Sequence, residues 1–128
     1  MSLIGCNNQN QTTKKILKEQ YELQDKCGKR SEEWFKKEYE STEGNTNYKN
    51  HYDKKENKCF ILLTSFYTNK KGGSIQLSLY DINEDNEYGV LIIHGYNVNN
   101  KPYSCSVLNK SCGSYDEWLL LVNPYMED

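Results

Sequence analysis

The sequence lacks long apolar runs. No stretch of its 128 residues reaches the roughly 18 consecutive apolar residues of a membrane-spanning helix, so we expect no transmembrane segment. It also has little excess charge, because 16 Lys and Arg residues against 18 Asp and Glu residues leave a net charge of -2. This balance provides no overall basic field, so we expect neither a nucleic-acid partner nor an anionic membrane surface as a partner.

Histidine is scarce, with only His51 and His94, and no Cys-x-x-Cys pair is present. Zinc sites are normally built from such residues, so we expect no metal and no cofactor. The Gly-x-Ser-x-Gly motif of a nucleophile elbow is also missing, so nucleophilic catalysis would depend on one of the two histidines. We predict that both are structural, and we assign no catalytic residue.

Residues 81–87 place carboxylate and amide oxygens at alternate positions, as the first half of an EF-hand loop does. The match then fails, since Asn86 stands where the loop needs Gly and Ile92 stands where it needs Glu. We therefore predict a polar hairpin turn and no calcium site.

Apolar and aromatic residues are sufficient for one core: 36% of the sequence is hydrophobic, including 11 Tyr, 3 Phe and 2 Trp. The length fits a single domain, which we place at residues 13–128 after a disordered tether at residues 1–12. Apolar and small residues recur at spacings of three and four from Ile16 to Tyr39, which predicts a long helix capped by Thr12 or Thr13 with one face turned inward.

Strands are predicted at residues 59–67, 74–82, 88–94 and 103–108, with a loop at residues 41–50. Ser114 followed by Glu117 has the pattern of a capping box that opens a final helix, and Pro124 ends or kinks it. Sequential strands with short turns pair antiparallel. The predicted fold is α+β, with a long N-terminal helix and a short C-terminal helix packed on an antiparallel sheet of three to four strands. The first and third strands are apolar on both faces, so both faces need cover.

The chain has five cysteines, at positions 6, 27, 59, 105 and 112. Setting Cys6 aside, the other four allow three pairings in an oxidising compartment. We favour Cys27 with Cys59, which staples the helix to the core strand, and Cys105 with Cys112, which closes a short loop. Loop entropy gives these bonds about 3 to 4 and about 2 to 3 kcal/mol of stability.

Leu3, Ile4, Gly5 and Cys6 resemble a lipobox, the processing site of bacterial lipoproteins, and an Asn- and Gln-rich stretch follows. Cys6 is therefore the predicted lipidation site. Acylation would hold the protein on a membrane through the N-terminal lipid only, without spanning it. The alternative is a disordered leader with an idle thiol.

Tyrosines lie on or beside the predicted strands among Ser, Thr, Asn and Gln. Such residues suit contact with a protein or a glycan, although Tyr is also simply common in strands. The possible interaction surface comprises Tyr67, Tyr80, Tyr88, Tyr96 and Tyr103.

Several short motifs, in order along the chain, resemble a group of small, uncharacterised exported bacterial proteins. The motifs are Cys27-Gly28, Trp34-Phe35, Asn50-His51-Tyr52, Asn57-Lys58-Cys59-Phe60 and Pro124-Tyr125-Met126-Glu127. The resemblance implies export and paired cysteines, and it implies no activity.

The sequence thus predicts a non-catalytic lipoprotein of the bacterial cell envelope, on the periplasmic side or the surface, that binds an unknown envelope protein or polymer. We expect a monomer or a weak homodimer. One alternative is a small periplasmic enzyme that uses His51 or His94. Another is a hydrolase inhibitor with a protruding loop at residues 97–101 or 105–112.

Overall fold

The computed structural model describes residues 2–39 and 45–127, with side chains for all of these except residues 2–10 and 69. Two helices flank one antiparallel sheet, whose strands follow each other in sequence order, β1-β2-β3-β4-β5-β6. The elements are α1 (Ser2–Tyr39), β1 (Thr46–Asp53), β2 (Lys58–Asn69), β3 (Gly72–Asp81), β4 (Asn86–His94), β5 (Ser104–Val107), β6 (Lys110–Ser111) and α2 (Tyr115–Met126).

The α+β class and both helices are confirmed, but the prediction of three to four strands is wrong because the sheet has six. Strand β1 occupies part of the predicted loop at residues 41–50, and β6 is a two-residue strand after a tight turn. The alternation of apolar and polar residues is hard to recognise in the sequence of β1. Its inward residues are Tyr48 and Tyr52, separated by Asn50, and none of them is aliphatic.

The two helices cover opposite faces of the sheet. Helix α2 packs Trp118 and Val122 onto a buried cluster that includes Phe60, Leu79 and Leu91; we call this side the α2 face. The Trp118 Nε1 group donates a hydrogen bond to the Ser106 carbonyl at 3.0 Å, which fixes the helix over β5. The apolar residues on both sides of β2 are thus covered by different helices.

On the opposite side, the α1 face, the C-terminal part of α1 lies against β1 and β2. The rings of Phe35 and Tyr48 lie 4.5 Å apart, and the rings of Trp34 and Tyr80 lie 5.3 Å apart. Trp34 Nε1 also donates to Asp85 Oδ1 at 3.3 Å, so α1 reaches the turn between β3 and β4.

Only part of the predicted inward stripe of α1 is buried. Cys27 and Ser31 are buried, but Ile16, Leu17 and Tyr21 are 48%, 49% and 75% exposed, so their predicted burial is wrong. The helix also extends through Thr12 and Thr13 instead of beginning there. Cys6 and most of the predicted tether at residues 1–12 lie outside the residues with described side chains, and the tether stays a prediction.

Both favoured cysteine pairings are confirmed. Cys27 and Cys59 have Cα atoms 5.3 Å apart, and Cys105 and Cys112 have Cα atoms 5.1 Å apart, both within the range of a disulfide. The first bond joins α1 to β2 and is buried, while the second closes the hairpin of β5 and β6. Two disulfides in a chain of this size indicate an oxidising, exported environment.

The cap of α2 is also confirmed. Ser114 Oγ accepts a hydrogen bond from the Glu117 amide at 3.2 Å, and Glu117 Oε2 accepts one from the Gly113 amide at 2.7 Å. In a capping box the Glu side chain accepts from the amide of the cap residue itself, whereas here Glu117 accepts from the amide of Gly113, the residue before the cap. Pro124 lies inside the helix, which continues to Met126.

Candidate functional site

One helix is too narrow to cover the α2 face. Six strands about 4.8 Å apart span about 24 Å, whereas a helix with its side chains is about 10 Å across. On the β1 side of α2 this leaves a cleft of about 530 Å³, which we call the α2 cleft. It is lined by Asn47, Lys49, Asn50, Leu62, Thr64, Leu77, Tyr115, Leu119, Val122, Asn123, Met126 and Glu127.

The α2 cleft has an aliphatic floor and a polar rim. Leu62, Leu77 and Val122 are buried or half-buried at the bottom, while Asn47 and Lys49 are exposed on β1. Ligand sites have this composition and a volume of about 300 to 1,000 Å³. The cleft can bury apolar groups and offer amide hydrogen bonds at its edge. Its lining holds one carboxylate, Glu127, and no histidine.

His51 lies on β1 and is half-buried. It lines a second cleft of about 400 Å³ beside the exposed part of α1, and no carboxylate is among the residues that line it: Leu17, Gln20, Tyr21, Gln24, His51 and Lys54.

His94 ends β4 and is exposed, with its ring 5.1 Å from the ring of Tyr103. In the register, His94 pairs with Ser74, whereas His51 pairs with Phe60 on the α2 face. Ile75 belongs to the buried cluster of the α2 face, so its neighbour Ser74 faces the opposite side of the sheet. His94, which pairs with Ser74, therefore lies on the α1 face, whereas His51 lies on the α2 face. They cannot contribute to one site.

A charged cluster that the sequence reasoning missed lies at one end of the sheet. Lys58 Nζ lies 3.2 Å from Asp81 Oδ2 and 3.1 Å from the Tyr88 hydroxyl. The hydrogen bond with Tyr88, followed by that with Asp81, raises the pKa of Lys58. Asp81 is completely buried, and its Oδ1 accepts from the Asn83 amide at 2.9 Å. The carboxylate therefore holds the turn after β3, as an Asx turn does.

Asp81 thus belongs to a hairpin turn, as the sequence predicts for residues 81–87. Among the described residues, no group of three or more His, Cys, Asp and Glu side chains is arranged to hold a metal ion. In the sequence, the position of Asp81 at the start of a polar turn is the feature that could have predicted the cluster of Lys58, Asp81 and Tyr88.

The five predicted tyrosines do not form one surface. Tyr80 lies beneath Trp34, Tyr88 packs against Phe60 on the α2 face, and the Tyr96 hydroxyl donates to the Tyr67 carbonyl at 2.7 Å. Tyr67 and Tyr103 are 45% and 74% exposed.

Tyr67 and Tyr103 lie at the same end of the sheet on the α1 face. Tyr67 pairs with Ser74, which in turn pairs with His94, and the His94 ring contacts Tyr103. With Tyr96, which bonds the Tyr67 carbonyl, three members of the predicted interaction surface lie at one end of the sheet, while Tyr80 and Tyr88 do not.

Comparison of the chain with protein-family models, with curated proteins and with solved structures finds no match. Within the described residues, no helix combines the length and the hydropathy needed to cross a bilayer.

Proposed function

We propose that this chain is a non-catalytic, lipid-anchored protein of the bacterial cell envelope whose disulfide-stapled domain binds an envelope protein or polymer through the α2 cleft. Membership of the group of small exported bacterial proteins that the sequence resembles is part of the same proposal. The proposal combines an anchor, a spacer and a binding domain, and different residues support each part.

The pairing of the cysteines carries the proposal. Two disulfides use four of the five cysteines, and Cys6, in its lipobox-like setting, is the one outside both pairs. Disulfides accompany export, and a lipoprotein needs one N-terminal cysteine that is reserved for acylation. This division of the cysteines favours a lipid anchor over an idle thiol.

The exposed part of α1 supports a spacer between anchor and domain. Side chains from Gln11 to Lys26 are exposed, apart from the half-buried Gln20, and Cys27 is the first buried residue of the helix among those with described side chains. These residues add about 24 Å of helix at 1.5 Å per residue. A helix of this length would hold the α2 cleft away from the lipid surface.

The α2 cleft supports binding of a protein segment more than binding of a glycan. Its floor is aliphatic, with Leu62, Leu77 and Val122, and Tyr115 is the one aromatic residue in its lining, whereas glycans usually bind on surfaces richer in aromatic residues. The separation of His51 from His94 argues only against a site that uses both histidines. We therefore place the binding function in the cleft and assign no catalytic step.

The intact mass of the protein purified from membranes of its native host tests the anchor. We expect an acylated chain that begins at Cys6, and a Cys6→Ser variant that leaves the membrane fraction. A native chain with a free Cys6 in the soluble fraction would contradict the lipoprotein proposal.

A pair of tryptophan variants tests the cleft. Thr64→Trp fills the α2 cleft, whereas Ser74→Trp places the same side chain on the opposite face of the neighbouring strand. In cross-linking on intact host cells, we expect the wild type and Ser74→Trp to give the same adduct and Thr64→Trp to lose it. Equal adducts from all three proteins would place binding elsewhere.

One observation favours a second function, inhibition of a hydrolase. The disulfide-closed hairpin of β5 and β6 turns at Leu108 and Asn109, and Leu108 is 57% exposed with φ 54°. Glycine is the usual residue at such a position, so a strained, exposed leucine at the tip suits insertion into a partner's pocket. With a panel of purified envelope hydrolases, inhibition that Leu108→Asp abolishes would favour this function. Inhibition that survives the substitution would exclude the hairpin as its source.

A further inference from the structure

Helix α1 carries its charges in two blocks along its exposed part. Residues 11–18 contain Lys14, Lys15 and Lys18 and no carboxylate. Residues 19–25 contain Glu19, Glu22 and Asp25 and no basic residue. The net charge of the chain conceals this separation, so the expectation drawn from net charge alone does not apply to this segment.

Apolar side chains accompany the basic block. Leu17 and Tyr21 are 49% and 75% exposed, and they line one shallow patch on the helix with Lys14 and Lys18 at its N-terminal end and Glu22 and Asp25 at its C-terminal end. The neighbouring Ile16 is 48% exposed. Lysines beside exposed apolar residues on a helix are typical of a segment that lies in the headgroup region of a membrane.

We propose that residues 14–21 of α1 bind the headgroups of an anionic lipid bilayer, with the lysines on the phosphates and Leu17 and Tyr21 at the interface. The inference rests on the proposed function for its orientation, because Cys6 lies eight positions before Lys14 in the sequence. Residues 14–18 would add a basic contact with the lipid to the acyl anchor at Cys6.

The charge blocks also set the direction of the helix. An anionic surface attracts Lys14, Lys15 and Lys18 and repels Glu19, Glu22 and Asp25. The favourable arrangement therefore places the basic block at the membrane and the acidic block further out. With residues 14–21 on the bilayer, the spacer that holds the sheet and the α2 cleft off the lipid shortens to residues 22–26, about 8 Å of helix.

Sedimentation with lipid vesicles tests the inference on the full, unacylated chain, so that no lipid anchor contributes. We expect binding to phosphatidylcholine vesicles that contain phosphatidylglycerol and no binding to phosphatidylcholine alone. Binding should weaken from about 0.1 M to about 1 M salt, as the Debye length falls from about 10 Å to about 3 Å. Equal binding to both kinds of vesicle, or none to either, would overturn the inference.

Two triple variants with the same change of charge locate the contact. Substitution of Lys14, Lys15 and Lys18 by Gln should lower vesicle affinity about 100-fold, since each lysine at an anionic surface contributes roughly five-fold. Substitution of the exposed Lys70, Lys101 and Lys110 by Gln is the matched control and should change affinity little. Equal losses in both variants would show a non-specific charge effect and would refute the assignment to α1.

A third variant, with Leu17 and Tyr21 both replaced by Gln, tests the apolar contribution and should lower affinity about ten-fold or more. Unchanged affinity would remove these residues from the contact. The vesicle result is independent of Cys6: an acylated native protein that lacks any preference for anionic vesicles would refute this inference alone. A preference for anionic vesicles without native acylation would refute the lipid anchor alone.

Discussion

Cys27 and Cys59 join α1 to β2 at the point where the helix first becomes buried. Their Cα atoms are 5.3 Å apart, and the two residues are 2% and 3% exposed. Ser31 lies one turn further along α1, with its Oγ 3.5 Å from the Cys59 sulfur. The disulfide therefore marks the boundary between the packed part of the helix and the exposed part.

Replacement of both Cys27 and Cys59 by Ala should release α1 from the sheet. The 32-residue separation predicts a loss of about 3 to 4 kcal/mol in the free energy of unfolding. Urea denaturation measures this loss, and hydrogen exchange should show lower protection in α1 from Cys27 to Tyr39. The matched control, with Cys105 and Cys112 both replaced by Ala, should lose about 2 to 3 kcal/mol and leave α1 protected. An unchanged exchange rate in α1 would show that packing alone holds the helix.

Asp81→Ala should destabilise the protein by about 3 kcal/mol. The substitution leaves the Asn83 amide without its acceptor and removes the ion pair of Lys58, both at a completely buried side chain. Chemical denaturation of the variant gives the change in unfolding free energy. Glu84→Ala is the control, because Glu84 is an exposed partner 3.7 Å from Lys58, and it should cost at most about 1 kcal/mol. Equal costs for the two variants would contradict the role assigned to Asp81.

The sequence predicts the elements whose side chains follow a clear hydrophobic period. Strand β3 alternates Ile75, Leu77 and Leu79 with polar residues, and the cap at Ser114 follows a local hydrogen-bond pattern. Both depend on near neighbours in the chain, so both could be predicted. The disulfides could be chosen because the predicted helix and strand brought Cys27 and Cys59 together.

The remaining features depend on contacts between distant residues. Strand β1 is stabilised by pairing with β2 and by the rings of α1, and its own sequence is rich in Asn and other polar residues. The α2 cleft exists because one helix covers a six-stranded sheet, which neither the helix nor the strands encode alone. The exposure of Leu17 and Tyr21 likewise depends on where the sheet ends, whereas periodicity alone predicts that both face inward.

Gly73→Ala should weaken the protein through Tyr96. A Cβ atom at position 73 would lie 2.1 Å from Tyr96 Cζ, so the ring must move and lose the hydrogen bond from its hydroxyl to the Tyr67 carbonyl. We expect a cost of about 1 to 2 kcal/mol in urea denaturation. In a Tyr96→Ala background the same substitution should cost less than about 0.5 kcal/mol, since no ring remains to be displaced. Additive effects of the two substitutions would show that Gly73 and Tyr96 do not interact.

Alkaline pH should unfold the protein through three half-buried phenols and one lysine. Burial raises the pKa of Tyr39, Tyr80 and Tyr125, and the hydrogen bond with Tyr88 and the ion pair with Asp81 raise that of Lys58. A group whose pKa is higher in the folded state stabilises it fully below the unfolded pKa, here about 10 to 10.4. That stability is lost as pH rises through the folded pKa.

Stability should therefore not change through these groups up to about pH 10 and should fall above it. The tyrosinate absorbance of Tyr39, Tyr80 and Tyr125 should rise together with unfolding. Tyr80→Phe removes the hydroxyl that donates to Glu87 at 2.8 Å and should make the alkaline loss of stability shallower. Tyr103→Phe, at an exposed position, should leave the alkaline profile as it is. A single-stage titration that is complete before any unfolding would contradict the raised pKa values.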